Sequence, residues 1–324
     1  MARFKQIDVE RIRLRPNSER ESKVSFRDII DPYKWLVDAT GPVDCAETLG
    51  LAEAVVSARK NDRPVVLFIA GHVVKHGLSR FVMDLVSRGI VTHVACNGSV
   101  LIHDWELAVD GHTSEDVGRY IKDGKFGHWE TPSQINQVIN DFWEDDTTIV
   151  ECLGDSLLAR GLGARTSIIR CCHKYGVPMT SHILVGGDII HQHPNCSEKL
   201  FAASFTDFLV FAGTIQDLQG GVFINVGSQV TGTEVFLKAL SMARNIAVED
   251  NLESPLQITT GMLDFVKLPD DWRNGEASEG DAAYYYRPWK SLLLRTVADG
   301  GSSFYISGPH TTTLPNLWKT IITY

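Results

Sequence analysis

PVVLFIAGHVVKHGLSRFVMDLVSRGIVTHVACNG, residues 64–98, decides the fold. Its opening, PVVLFIAG (64–71), is a short apolar run rich in β-branched side chains and closed by glycine, the pattern of a strand buried on both faces. GLSRFVMDLVSRG (77–89) spaces its apolar residues as an amphipathic helix and stops at Gly89. IVTHVACNG (90–98) is a second strand that ends in a glycine turn. Strand, helix and strand at this spacing form a right-handed crossover and so begin a parallel sheet covered by helices on both faces.

The alternation continues outward. Upstream, CAETLGLAEAVVSARKN (45–61) has helical apolar spacing, and residues 1–43 read as an irregular arm with one short helix. Downstream, TTIVECLG (147–154) fits a strand or a helix start, ARTSIIRCCHKYG (164–176) a helix, VPMTSHIL (177–184) a strand and FTDFLVFAG (205–213) a helix. GVFINVGS (221–228) is a strand, TEVFLKALSMARNI (233–246) a helix, LQITTG (256–261) a strand, SLLLRTVADG (291–300) a helix and SSFYISG (302–308) the last strand. The expected organisation is an arm over 1–43 and a single α/β domain over 44–324, a Rossmann-like parallel sheet with helices on both faces. Ligands of such sheets bind outside the carboxyl ends of the strands. Polar or glycine-rich clusters follow four of these strands: GHVVKHG, CNGSVLIHDWE, GSQVTGTE and SGPHTTTLP. Neither a GxGxxG fingerprint nor a GxxxxGK[ST] loop occurs, which excludes a standard dehydrogenase and a P-loop NTPase on motif grounds.

The bulk numbers narrow the partners. The 324 residues carry a net charge of −9, which argues against a broad nucleic-acid surface. No run of apolar residues is long enough to span a membrane. The start, MARFKQIDVERIRLRP, lacks the apolar core of a secretory signal, so a cytoplasmic protein is expected. The six scattered cysteines form no CxxC and read as reduced thiols.

Four segments can carry chemistry. In CNGSVLIHDWE (96–106), glycine admits close backbone approach, and His103, Asp104 and Glu106 supply proton-transfer groups or acceptors for ribose hydroxyls; the same residues also suit a helix start stabilised by acids. GHVVKHGLSR (71–80) places Gly71, His72 and Lys75 between a strand and a helix N-terminus, a natural diphosphate site or else a solvated loop. SHILVGGDIIHQHPNC (181–196) holds His182, Asp188, His191, His193 and Cys196, all metal-ligand types but without zinc spacing, so no metal is expected. In AYYYRPWKSLLLR (283–295), Lys290 follows an aromatic run; it is either a desolvated nucleophilic amine or a lysine whose stem lies along rings.

Taken in order, these segments resemble the deoxyhypusine synthase family. LVSRGIVTHVACNGSVLIHDWE (85–106) is similar to the family's strand and Ala-Gly-Gly turn, with Asn97-Gly98-Ser99 at the turn and His103-Asp104 where the family has Glu-Asp. SIIRCCHKYGVPMTSHILVGGDI (167–189) resembles a helix, strand and loop closing in Gly-Asp, here Asp188. GVFINVGSQVTGTE (221–234) resembles the glycine-rich strand end, keeping Gly227 of three glycines and having Gly232-Thr233 where the family has Lys-His. RPWKSLLLR (287–295) is similar to the segment bearing the family's catalytic lysine, and SFYISGPHTTTLPNLW (303–318) to its last strand.

The resemblance implies NAD as cofactor, held by Gly71, His72, Asn97, Gly98, Ser99, Glu106, Gly227, Ser228 and Gly308. It implies Lys290, Trp289, His103 and Asp104 as the catalytic group, and Asp188, Glu279, Asp281 and Tyr286 as substrate contacts, with Tyr284 to Tyr286 able to hold an ammonium by cation–π contact. The implied reaction is an aminobutyl-type transfer from an amine through a Schiff base on the lysine, in a homotetramer with sites between subunits. The alternatives are an amino-acid-processing enzyme of lyase or cyclodeaminase type on the same fold, and a non-catalytic NAD-binding protein.

Overall fold

In the computed structural model, residues 4–38 and 45–324 are described. The expected boundary between arm and domain, at 43/44, lies outside them. The strands are β1 (Ser22–Ser25), β2 (Val65–Ile69), β3 (His93–Asn97), β4 (His112–Glu115), β5 (Met179–His182), β6 (Val222–Val226), β7 (Thr259–Asp264) and β8 (Ser302–Ser307). The helices are α1 (Pro32–Asp38), α2 (Ala46–Lys60), α3 (Gly71–Lys75), α4 (Ser79–Ser87), α5 (Gly98–Val109), α6 (Val117–Tyr120), α7 (Glu130–Phe142), α8 (Ile149–Ala159), α9 (Ile168–Tyr175), α10 (Glu198–Gln216), α11 (Thr231–Glu249) and α12 (His310–Thr323).

Six strands form one fully parallel sheet in the order β5-β3-β2-β6-β7-β8. Every residue of β2 and β6 is buried, as central strands covered on both faces require. The period of two sorts β2 between two layers. Val65, Leu67 and Ile69 pack with α2, α4, α5, α9 and α12, whereas Val66 and Phe68 pack with α10, α11 and the segment after β7. No helix among the described residues is long and apolar enough to cross a membrane.

Of the two readings left open for TTIVECLG, the structure takes the helix start, because Thr148 and Glu151 close a reciprocal capping box at the start of α8. Two expectations need correction. The strand expected at 256–261 runs over Thr259–Asp264, so its end reaches the carboxyl edge as Asp264 rather than Gly261. The helix expected over 291–300 is a π-turn, Pro288–Leu294, followed by a 3-10 turn, Arg295–Val297. The arm also contributes β1, which pairs antiparallel with β4 through Ser22↔Glu115 and Val24↔Thr113.

Candidate active site at the carboxyl edge

The strand order reverses between β2 and β6. The chain builds outward from β2 through β3 to β5, then returns to the other side of β2 for β6, β7 and β8. At that reversal the connections leave in opposite directions and open a crevice. Its floor carries bare backbone. A Cβ on Gly71 would strike the Ser99 hydroxyl and come within 3.3 Å of the His103 ring. A Cβ on Gly227, whose φ is +74°, would strike His310, and one on Gly98 would strike the Asp188 carboxylate. Polar side chains from three segments therefore converge on three strand tips.

The α5 wall is an interlocked network. Asn97 caps α5, its Oδ1 accepting from Val100 N and from the Ser99 hydroxyl at 2.8 Å. Farther along, buried Glu106 is ion-paired with buried Arg20 from the arm and accepts the Thr113 hydroxyl at 2.5 Å. With the Thr113 proton given to Glu106, His103 donates from Nδ1 to Thr113 Oγ1 at 2.7 Å, and its Nε2 is left as an acceptor. Burial, with Lys75 and Arg20 nearby, lowers the His103 pKa to about 3, so the ring is neutral. Burial outweighs Arg20 in raising the Glu106 pKa.

Arg20, Ser99, His103 and Glu106 line a cavity of about 210 Å³ with Lys75, Glu115 and Asp188. Glu115 accepts Trp129 Nε1 at 2.7 Å and Gly127 N at 3.0 Å; Asp188 accepts Leu184 N at 2.8 Å. The pKa values of both acids are raised by burial. Asp104 is not brought to this cavity. It turns to the N-terminus of α9, accepting from Ser167 Oγ at 2.5 Å and Ile168 N at 2.7 Å, and burial raises its pKa to about 6.

On the far side of the crevice, buried Asp264 accepts the Tyr286 hydroxyl at 2.8 Å and Gln229 at 3.4 Å. Burial, then Tyr305 and Asp264, raise the Tyr286 pKa. Ser228 is buried at the tip of β6, where its hydroxyl accepts Gly232 N at 2.8 Å and so caps α11. Gly308 ends β8 with its N–H on Asp264 O at 2.9 Å. His72 is exposed beside His76, their ring centroids 5.5 Å apart.

Lys290 lies on the π-turn, 7% exposed, with Nζ 3.5 Å from the centroid of the Tyr284 ring. Trp289 donates to Trp272 O at 2.9 Å. Neither residue lines the His103 cavity. Glu279 is exposed, and Asp281 caps the short turn that leads to the tyrosines by accepting Ala283 N at 2.8 Å. His182 stacks on Phe68, and His191 on Phe201. No group of three or more His, Cys, Asp or Glu side chains among the described residues is disposed to hold a metal.

Sequence reasoning passed over Arg20, Glu115, Asp264 and His310. Arg20 meets Glu106 across 86 residues of chain, and a lone arginine in an irregular arm carries no local signal. His310 stood inside the quoted SGPHTTTLP cluster, and its position directly after a strand-end glycine was the signal available.

The strand order and its glycine-tipped reversal define a Rossmann-type α/β protein. Within that class the chain has the deoxyhypusine synthase-like fold. It matches a protein of Entamoeba histolytica assigned as a deoxyhypusine synthase with a TM-score of 0.50 and 11% identity, over 93% of this chain and 96% of the other. It matches a protein of Methanococcus maripaludis S2 assigned as LOR/SDH with a TM-score of 0.52 and 14% identity, over 87% of this chain and 71% of the other. AgrE in its ternary complex with ornithine and NAD+ matches with a TM-score of 0.51 and 12% identity over 88% of this chain, which spans 34% of AgrE. At these identities the likeness is one of fold. No family model and no curated protein matches the sequence.

Proposed function

We propose that the chain is an NAD-dependent enzyme that oxidises the carbon bearing an amine. The observation that carries this reading is the crevice at β2/β6, where Gly71 and Gly227 leave room for no side chain and polar groups converge. The residues fit the cofactor there: buried His310, which abuts the Gly227 backbone at the tip of β6, has an Nδ1 with no hydrogen-bond partner among the described residues. Gly71, His72, Asn97, Gly98, Ser99, Gly227, Ser228 and Gly308 would hold NAD, which supplies hydride acceptance and return. Glu106, already paired with Arg20, would act on it only through the shape of the wall. We take 44–324 as the NAD-binding unit and 1–43 as an arm upon it.

Lys290 is the nucleophile in this reading. Its amine attacks the oxidised substrate carbon, the departing amine leaves with the proton that Lys290 loses, and the resulting Schiff base passes its group to an acceptor amine. Burial against Tyr284 keeps the amine from bulk water and supports that role. Tyr286, Glu279 and Asp281 lie on the segment that covers it and would meet the substrate. The exposed Val185, Phe205 and Phe265 support assembly into a homotetramer with sites between subunits. We place the enzyme in the cytoplasm.

A second reading, amino-acid processing without a lysine adduct, is favoured by the cavity that brings His103, Lys75 and Arg20 together without Lys290. Borohydride trapping in the presence of NAD and a panel of amines and amino acids separates the two. An adduct mapped to Lys290 by mass spectrometry is expected for transfer. NADH formation with no adduct from any compound would retire the lysine mechanism in favour of the second reading.

A further inference from the structure

The cavity beside α5 has a charge pattern that selects its occupant. Arg20 and Lys75 stand against Glu106, Glu115 and Asp188, so two cations face three carboxylates. Arg20 gives Nη1 to Glu106 and Nε to Ser22 Oγ at 3.2 Å, while its Nη2 is buried with no hydrogen-bond partner among the described residues. A buried guanidinium nitrogen left unpaired is costly, and a ligand oxygen would relieve it. No hydrogen bond or ion pair among the described residues engages the Lys75 amine.

Among the acids, Asp188 rests against Gly98 at the start of α5 and accepts a single backbone N–H through Oδ2, and its second oxygen takes no hydrogen bond among the described residues. Glu115 makes one hydrogen bond through each oxygen. His103 adds the acceptor Nε2, and its Cδ2 edge lies near Gly71 at the mouth of the crevice. At about 210 Å³ the space is smaller than the pockets that take drug-sized ligands.

We propose that this cavity binds a basic amino acid, with the carboxylate on Lys75 and Arg20 Nη2, one ammonium on Asp188 and the second cationic group on Glu115. A ligand of net charge +1 neutralises the single excess negative charge of the lining. A diamine lacks the carboxylate that the two cations call for, and a simple neutral amino acid lacks the second cation. The proposal deepens the second functional reading, resting on it for the claim that this cavity is the substrate pocket. Binding itself needs no NAD, so the two can fail separately.

The test is calorimetry on the full-length protein without cofactor, using L-lysine, its decarboxylated form cadaverine, and L-norleucine, which lacks the second amine. L-lysine is expected to bind at least tenfold tighter than either. Lys75→Met, at a partly exposed position, should weaken L-lysine roughly tenfold to a hundredfold and leave cadaverine unchanged. Asp188→Asn should weaken both. Cadaverine binding as tightly as L-lysine, norleucine binding as tightly as L-lysine, or an unchanged L-lysine affinity in Lys75→Met would each overturn the assignment. Binding of L-lysine with no NADH on adding NAD would leave this inference standing and remove the oxidation reading. NADH from a diamine, with no L-lysine binding, would do the reverse.

Discussion

α5 and the π-turn bearing Lys290 each follow a strand of the same sheet, yet they hold their polar groups in opposite ways. On α5 the polar groups are linked into one chain: Asn97 caps the helix, Glu106 takes Arg20 and Thr113, and Thr113 takes His103. On the π-turn the Lys290 amine rests on one aromatic face, while the ion pair of Arg295 on the following turn with Glu276 is a surface one. The first wall is rigid because removing any member strands a buried charge or donor. The second is held by packing, and a π-turn inserts an extra residue per turn, a device that recurs at functional sites. The difference teaches that burial alone does not define a site: both walls are buried, but only one is committed to a fixed arrangement of protons.

The largest effect is expected where the α5 network is cut. Glu106→Gln leaves the Arg20 charge buried without its counterion and should cost about 3–5 kcal/mol in denaturant unfolding. Removing both charges, as Arg20→Met with Glu106→Leu, should recover most of that loss. A small effect for the single substitution would break the comparison, because the wall would then not depend on the pair.

Gly227→Ala comes next. Its φ of +74° and the abutting His310 ring should together cost about 2 kcal/mol, and NAD affinity should fall with it. Unchanged stability with normal NAD binding would show that the β6 tip is not a close-approach point.

Protonation gives a smaller, graded test. The folded-state pKa of His103, about 3, is below its unfolded value of about 6.5. The unfolded chain therefore binds the extra proton between those values, and the neutral ring's contribution is present above pH 6.5 and lost as pH falls. The stability difference between the wild type and His103→Asn should shrink by roughly 1.4 kcal/mol per pH unit below that point. A difference constant with pH would place a charged imidazolium in the folded wall. Asp104 runs the other way: its carboxyl, raised to about 6, favours the folded state's proton, so its ionisation lowers stability as pH rises toward that value.

The smallest change is expected on the π-turn. Lys290→Met keeps the volume and removes an amine that has no hydrogen bond among the described residues, so stability should move by less than about 1.5 kcal/mol, while borohydride trapping at that position is lost. A loss as large as that of Glu106→Gln would erase the contrast between the two walls.

Much of this architecture was legible. The apolar runs at 64–71, 90–98, 221–228 and 302–308 are strands, and the glycines that close three of them, Gly71, Gly98 and Gly227, stand where polar side chains crowd the backbone. At TTIVECLG an apolar run too short to distinguish helix from strand left both open, and a capping box decided for the helix; at SLLLRTVADG the expected helix is instead a π-turn, packed on β7, where Thr260 Oγ1 donates to Leu292 O at 2.9 Å. The candidate cavity was half legible: His103, Glu106, Lys75 and Asp188 stood in quoted motifs, but Arg20 and Glu115 did not.

Periodicity is a local property, so the sequence by itself determined the alternation of strands and helices, the parallel sheet and the edge on which ligands fall. Which strands became neighbours at the reversal, and which charges met, depended on contacts between segments far apart in the chain. Arg20 reaches Glu106 only because β1 of the arm pairs with β4 and carries that arginine over α5. An unpaired charge cannot stay buried, so its partner is chosen by the completed fold and leaves no mark on either local sequence.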